Sequence, residues 1–176
     1  MNSVHRHLSG SQSGAASASP HGAGRERVEA DAAARGLTVS IVSRPEARSL
    51  HEAAELLGIT PGELVKTLVI KRSDGSYLFA LVPGGRRISW PKLRAVVGVN
   101  KLSMPSPDAA LEATGYARGA ITPLGSNTAW PVYADALVPG GRIAMGAGEH
   151  GSSAFVDADA LLASLGATVA DITDPE

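Results

Sequence analysis

Two glycine-punctuated loops and a single lysine carry most of the residue types from which this chain could build a site. The first loop runs Gly115-Tyr116-Ala117-Arg118-Gly119-Ala120-Ile121-Thr122-Pro123-Leu124-Gly125. Glycine lets a main-chain N–H approach a ligand closely and proline stiffens the turn, so such a loop can offer preorganised donors to a carbonyl or an oxyanion. An ordinary ordered loop has the same composition, so this segment does not decide the matter alone. The second loop, Gly146-Ala147-Gly148-Glu149-His150-Gly151, fits the spacing G-x-G-x-x-G. A dinucleotide-binding loop of that spacing opens a helix and is followed by an acidic residue about twenty positions on. Here the strand-like SSAFV follows instead, so the segment reads as a tight glycine turn lining a pocket.

His51 and His150 are the histidines of the folded region, and neither has an Asp or Glu pair at zinc-ligand spacing. No metal or cofactor is expected. His51 belongs to a helix surface, whereas His150, beside the glycine turn, is a candidate substrate contact. Cysteine is absent, which excludes a disulfide framework, thiolate metal sites and a catalytic thiol. Lys66, in VKTLVIK, would by itself be an ordinary strand-edge lysine.

Charge is distributed unevenly although the formal net charge is -1. From Lys66 to Lys101 eight basic residues face Asp74 alone, and beyond Lys101 acidic residues dominate. A local basic stretch can meet phosphates while the rest of the surface repels them; a solvated surface is the plainer reading. No apolar run is long enough for a membrane span and no signal-peptide block opens the chain, so a cytoplasmic protein without a membrane partner is expected.

The elements that must position these residues can be read in order. Residues 1–24, rich in Ser, Gly, Ala and His, have little to bury and read as a disordered tail, with one folded domain over 25–176. ERVEADAAAR reads as a helix stopped by Gly36, and LTVSIV as a strand. Ser49 with Glu52 forms a capping box for a helix closed by Gly58, and Thr60-Pro61-Gly62-Glu63 opens a further helical turn. VKTLVIKR and YLFALV make a hairpin around Ser73-Asp74-Gly75-Ser76. Short helices are expected over 90–98 and 107–115, strands near 130–134 and 142–145, and a strand running into a helix over 155–166. The hexapeptide LVPGGR occurs at 81–86 and 137–142, read as one turn chemistry used twice. Helices mixed with strands joined by short turns point to an α+β fold with a mixed, largely antiparallel sheet.

In this order, Lys66 within VKTLVIK, Gly119 to Pro123 as a G-x-x-x-P loop, and the Gly146-Ala147-Gly148 turn resemble the YbaK/EbsC family of prolyl-tRNA-editing aminoacyl-tRNA deacylases, over roughly residues 26–173. The resemblance implies a barrel-like sheet surrounded by helices, and an ester hydrolase acting on mischarged aminoacyl-tRNA, usually proline tRNA carrying cysteine or alanine. It implies that Lys66 contacts phosphate at the tRNA 3′ end and, with Gly119, forms the catalytic centre. Ala120, Ile121, Thr122, Pro123, Gly125, Gly146, Gly148 and His150 would then bind the aminoacyl group. It further implies water attack assisted by the ribose hydroxyl, with no protein nucleophile, no metal and no cofactor. Because no synthetase module is recognisable, a free-standing trans-editing deacylase is expected, with the aminoacylated tRNA acceptor end as partner and prolyl-tRNA synthetase as a second. A non-catalytic module of the same fold that binds aminoacyl-tRNA or a synthetase is the alternative.

Overall fold

The computed structural model describes residues 20–176, with side chains from residue 23 onward. The expected tail over residues 1–19 lies outside the described residues. The first helix, α1, spans Pro20–Ala34 and so begins within the segment read as tail. Its partly apolar face carries Val28 and Ala32 into the interior, where both are buried.

The centre of the fold is the hairpin of β2 (Val65–Arg72) and β3 (Tyr77–Pro83). The two strands are antiparallel, with Val65 opposite Pro83 and Lys71 opposite Tyr77. Asp74 closes the turn by accepting the Ser76 N–H at 2.9 Å and its hydroxyl at 2.6 Å, the local geometry that Asp favours in turns. Successive side chains of a strand point to opposite faces. On β2 this sends Val65 and Val69 into one core cluster and Leu68 and Ile70 toward another.

The remaining strands are β1 (Ser40–Ser43), β4 (Arg86–Ile88), β5 (Leu102–Ser103), β6 (Val132–Asp135), β7 (Arg142–Gly146), β8 (Ser152–Asp157), β9 (Thr168–Ala170) and β10 (Thr173–Pro175). They assemble into a five-stranded sheet ordered β5-β2-β3-β6-β9, a three-stranded sheet β1-β8-β7 and the pair β10-β4. Among the strand ladders of the described residues, only β3–β6 and β6–β9 are parallel; the other ladders are antiparallel. The sheet is therefore mixed and largely antiparallel, as expected. The ladders do not close into one barrel among the described residues: the larger two sheets meet through an isolated parallel bridge between Leu64 and Ala144.

Helices α2 (Leu50–Leu57), α3 (Trp90–Val97), α4 (Pro107–Thr114) and α5 (Ala158–Leu165) surround the sheets. Each starts where a side-chain oxygen can satisfy an otherwise unpaired N–H: Ser49 accepts from Glu52, Ser89 from Lys92, Ser106 from Ala109 and Asp157 from Ala160. One core cluster joins Val28 of α1, Ala110 of α4 and Leu161 of α5 to β2, β3, β7 and β8. The other lies on the opposite face of the hairpin, where Leu93 of α3 and Ile172 pack on Ile70, Leu78 and Ala80.

The repeated LVPGGR is not one turn used twice. In the first copy Leu81 to Pro83 belong to β3 and the second glycine, Gly85, takes the positive φ of 80°. In the second copy the apolar residues lie in a loop and the first glycine, Gly140, takes φ 100°. Strand pairing, not the hexapeptide, decides which glycine bends.

Candidate functional site

A cavity of about 640 Å³ opens between β2, the starts of α2 and α4, the loop 115–125 and the strands β7 and β8. Val65, Val69, Ile121 and Met145 make part of its wall apolar, and Thr67, Ser152 and Ser153 are its hydroxyl-bearing residues beside them. None of its lining residues carries a carboxylate or an imidazole. General acid or base chemistry would therefore have to come from outside that wall or from the bound molecule.

The predicted site residues divide into those at the cavity and those behind it. Lys66, Gly119, Ile121 and Gly146 line it. Gly119 has φ 91°, a conformation that favours glycine. His150, although not in the wall, stands beside Gly119: a Cβ added there would lie 3.4 Å from the imidazole Cε1. Gly146 is also required by a close approach, since a Cβ would come 3.0 Å from the carbonyl carbon of Ile121 and closer still to its oxygen.

Ala120, Thr122, Pro123, Gly125 and Gly148 build the loops from behind. The Ala120 N–H donates to the Ala117 carbonyl at 3.0 Å, and the Ala120 carbonyl accepts the Gly148 N–H at 3.0 Å. Both backbone polar groups of Ala120 are thus hydrogen-bonded inside the protein. Thr122 is fully buried and its hydroxyl accepts the Leu124 N–H at 3.3 Å. Gly125 faces α1, where its N–H donates to the Asp31 carboxylate at 2.8 Å.

Lys66 meets the cavity at its edge, but strand alternation turns its side chain to the face shared with Leu68 and Ile70. Its ammonium donates to the Arg86 carbonyl at 3.0 Å and lies 3.5 Å from a Glu176 carboxylate oxygen. The next residue, Thr67, takes the face toward Val65 and Val69. Its Oγ1 is shut off from solvent and has no hydrogen-bond partner among the described residues. Buried hydroxyls are normally paired, so Thr67 is a functional candidate that sequence reading missed; its place next to Lys66 in an alternating strand was the available signal.

The basic segment is partly neutralised: of its eight basic residues, Lys66 and Lys92 form salt bridges among the described residues. Lys92 pairs with Asp171 at 3.1 Å and with Asp174 at 3.0 Å. Hydrogen bonds from Asp174 and Asp171 raise the Lys92 pKa above the ordinary lysine value, and the bond from Lys92 lowers that of Asp174. The acidic end of the chain thus returns to neutralise part of the segment that looked isolated in sequence. Beside Lys66, the cations at the cavity are Arg44, Arg48 and Arg118. None of these three forms a salt bridge among the described residues, and Arg48 and Arg118 are exposed. Sequence reading gave none of the three a role of its own, because they are scattered along the chain.

Comparison with known proteins identifies a family. Residues 44–163 match the model of a family described as the aminoacyl-tRNA editing domain. A candidate Cys-tRNA(Pro)/Cys-tRNA(Cys) deacylase, EbsC, of Enterococcus faecalis is 30% identical over 129 residues, covering 73% of this chain and 79% of that one. Proline–tRNA ligase of Thermosipho melanesiensis is 38% identical over 85 residues, 48% of this chain but 15% of the ligase, so the match spans only a small part of that enzyme. Among solved structures, a candidate trans-editing enzyme for prolyl tRNA synthetase superposes with a TM-score of 0.78 at 32% identity, covering 90% of this chain and 99% of that one.

Proposed function

This chain belongs to the aminoacyl-tRNA editing domain family, and from that premise we propose that it is a free-standing deacylase that hydrolyses mischarged tRNA in trans, with proline tRNA carrying cysteine or alanine as substrate. The observation that carries the reading is the cavity itself. It joins a mostly apolar wall, the glycine-lined loop edge at Gly119 and Ile121, and a rim with Arg44, Arg48 and Arg118. An aminoacylated tRNA end has the matching parts: a small acyl group, an ester carbonyl and flanking phosphates.

In this reading the acyl group enters between Val69, Ile121 and Met145, and the oxyanion developing on the ester carbonyl meets main-chain donors of Gly119 and Ile121. The Ser153 hydroxyl, and that of Thr67 once its side chain turns toward the cavity, orient the substrate's polar groups. Water attacks the carbonyl carbon, the bond to the ribose oxygen breaks, and that oxygen takes up a proton. The released products are the free amino acid and uncharged tRNA. A neighbouring ribose hydroxyl assists the water, which suits a wall without carboxylate or imidazole. Placement and oxyanion stabilisation then supply the rate.

Phosphates would be held by Arg48 and Arg118, and by Lys66 after its ammonium leaves Glu176. An exposed ion pair at 3.5 Å is a weak competitor for a phosphate. Prolyl-tRNA synthetase is the proposed protein partner and the cytoplasm the proposed compartment; no helix among the described residues is long and apolar enough to cross a membrane. The test is deacylation of proline tRNA charged separately with cysteine, alanine and proline. Hydrolysis of a mischarged species but not of the proline ester supports the reading. Binding of tRNA without hydrolysis of any of them would replace it with a non-catalytic binding module.

A further inference from the structure

The loop that supplies Gly119 and Ile121 to the cavity is held at both ends by one side chain from a helix that lies outside the family-matched residues 44–163. Arg27 of α1 donates to the Gly125 carbonyl through Nε at 2.9 Å and Nη2 at 2.5 Å. The same guanidinium donates to the Thr114 carbonyl at 3.0 Å and the Gly115 carbonyl at 3.4 Å. Thr114 and Gly115 are where the chain leaves α4 and enters the loop; Gly125 is where the loop ends. The guanidinium carbon also sits 4.6 Å from the centre of the Tyr116 ring, and the Tyr116 hydroxyl donates to the Leu124 carbonyl at 2.7 Å.

One helical turn on, Asp31 accepts the Gly125 N–H at 2.8 Å. Arg27 and Asp31 thus grip the C=O and the N–H of a single glycine. Gly125 has φ 71°, and a Cβ there would lie 2.5 Å from the Tyr116 hydroxyl oxygen, so the grip also requires this residue to be glycine. Asp31 is itself steadied by Arg35 at 3.1 Å, whose other end donates to the Ser164 carbonyl of α5 at 2.8 Å. The second loop is touched from the same helix: Gly24 lies against Gly148, and Arg25 stands 3.8 Å from the Glu149 carboxylate.

We propose that Arg27 and Asp31 are positioning residues for the hydrolysis, setting where Gly119 and Ile121 stand at the cavity by stapling both ends of the loop 115–125 from behind. Neither residue lines the cavity, so neither touches substrate. The guanidinium suits the task because its rigid fork can hold several carbonyl oxygens in fixed relation, which a lysine ammonium cannot. A reaction that depends on donor placement is sensitive to shifts well below the length of a bond between residues. This inference rests on the deacylase reading for its kinetic consequence, but not for its structural one.

The experiment compares wild type, Arg27→Ala, Arg27→Lys and, as a stability-matched control in the far core cluster, Leu102→Ala. Two readouts are taken on the full chain: kcat and KM for mischarged proline tRNA, and hydrogen exchange of the amides of residues 119–122. The expected result for Arg27→Ala is a kcat lowered on the order of tenfold or more with KM within about twofold, and faster exchange at those amides. Arg27→Lys, which keeps the charge but loses the rigid fork, should fall between. Leu102→Ala should lose stability without changing kcat or the exchange of 119–122. Unchanged exchange and kcat in Arg27→Lys, or an equal kcat loss in Leu102→Ala, overturns the proposal. If wild type hydrolyses no mischarged tRNA, the deacylase reading fails on its own, while faster exchange in the Arg27 variants still upholds the staple and unchanged exchange removes it.

Discussion

Gly148 donates its backbone N–H to the Ala120 carbonyl at 3.0 Å, and this one bond joins the two glycine loops into a single wall. The family resemblance puts both loops on one aminoacyl group, but it does not say which atoms join them. Gly148 stands at φ 78°, and a Cβ on it would come 2.5 Å from the Gly24 carbonyl oxygen and 3.0 Å from Tyr116 Cε1.

Gly148→Ala is therefore expected to cost about 1–3 kcal/mol of stability from backbone strain, with further loss from the collision. Deacylation should fall as well, because the substitution pushes on Ala120 and the Gly119–Ile121 edge. Chemical denaturation and steady-state kinetics on the same sample check both; unchanged stability would mean that the two loops are not locked together.

Thr67→Val separates stability from activity by the sign of its effects. Removing a buried hydroxyl that has no partner should leave stability unchanged or raise it by about 1 kcal/mol. If the hydroxyl serves the substrate, kcat/KM should drop roughly tenfold, the equivalent of one hydrogen bond. Thermal melting and deacylation rates give the two values, and a variant with full activity would remove Thr67 from the site.

The pairing of Lys66 with Glu176 predicts opposite effects for its two members. Lys66→Ala should weaken tRNA binding and reduce the slope of log affinity against log salt by about one. Glu176→Gln, which removes a competing carboxylate, should lower KM severalfold at low salt and leave kcat unchanged. Kinetics across a salt series test both, and identical salt slopes for wild type and Lys66→Ala would mean that the lysine meets no phosphate.

Tyr116 provides a pH signature of the loop. Burial pushes its phenol pKa up to about 12, against a smaller opposing influence of Arg27. The folded pKa lies above the ordinary tyrosine value of about 10, so the folded state holds this proton more tightly. The resulting stability is complete below about pH 10 and is lost as pH rises toward 12. Ultraviolet titration should show a tyrosine ionising near pH 12, and Tyr116→Phe should remove both that step and the matching part of the alkaline loss of stability.

What sequence alone determined here is local. Helix caps at Ser49 and Ser106, glycine stops at Gly58, Gly98, Gly115 and Gly166, and the hairpin around Asp74 rest on interactions within a few residues, so composition and spacing reveal them. The family motifs were legible for the same reason: each is a short, contiguous run. The strands β4, β9 and β10 were not, because each is three residues long and exists through pairing with distant chain, as when Thr173 lies opposite Ile88.

Tertiary structure alone decided the site. Alternation told that Lys66 and Thr67 face opposite ways, but only the packing of β7 and the loop 115–125 on one face of β2 assigns the cavity to Thr67's side. Charge along the chain told of a basic segment, but only the return of β10 beside β4 sets Asp171 and Asp174 on Lys92, leaving Arg44, Arg48 and Arg118 at the cavity. The staple from Arg27 to both ends of its loop is the clearest case. Hydrogen bonds and ion pairs act over a few ångströms whatever the separation along the chain, so no local pattern in sequence can announce which distant residues a fold will bring within that reach.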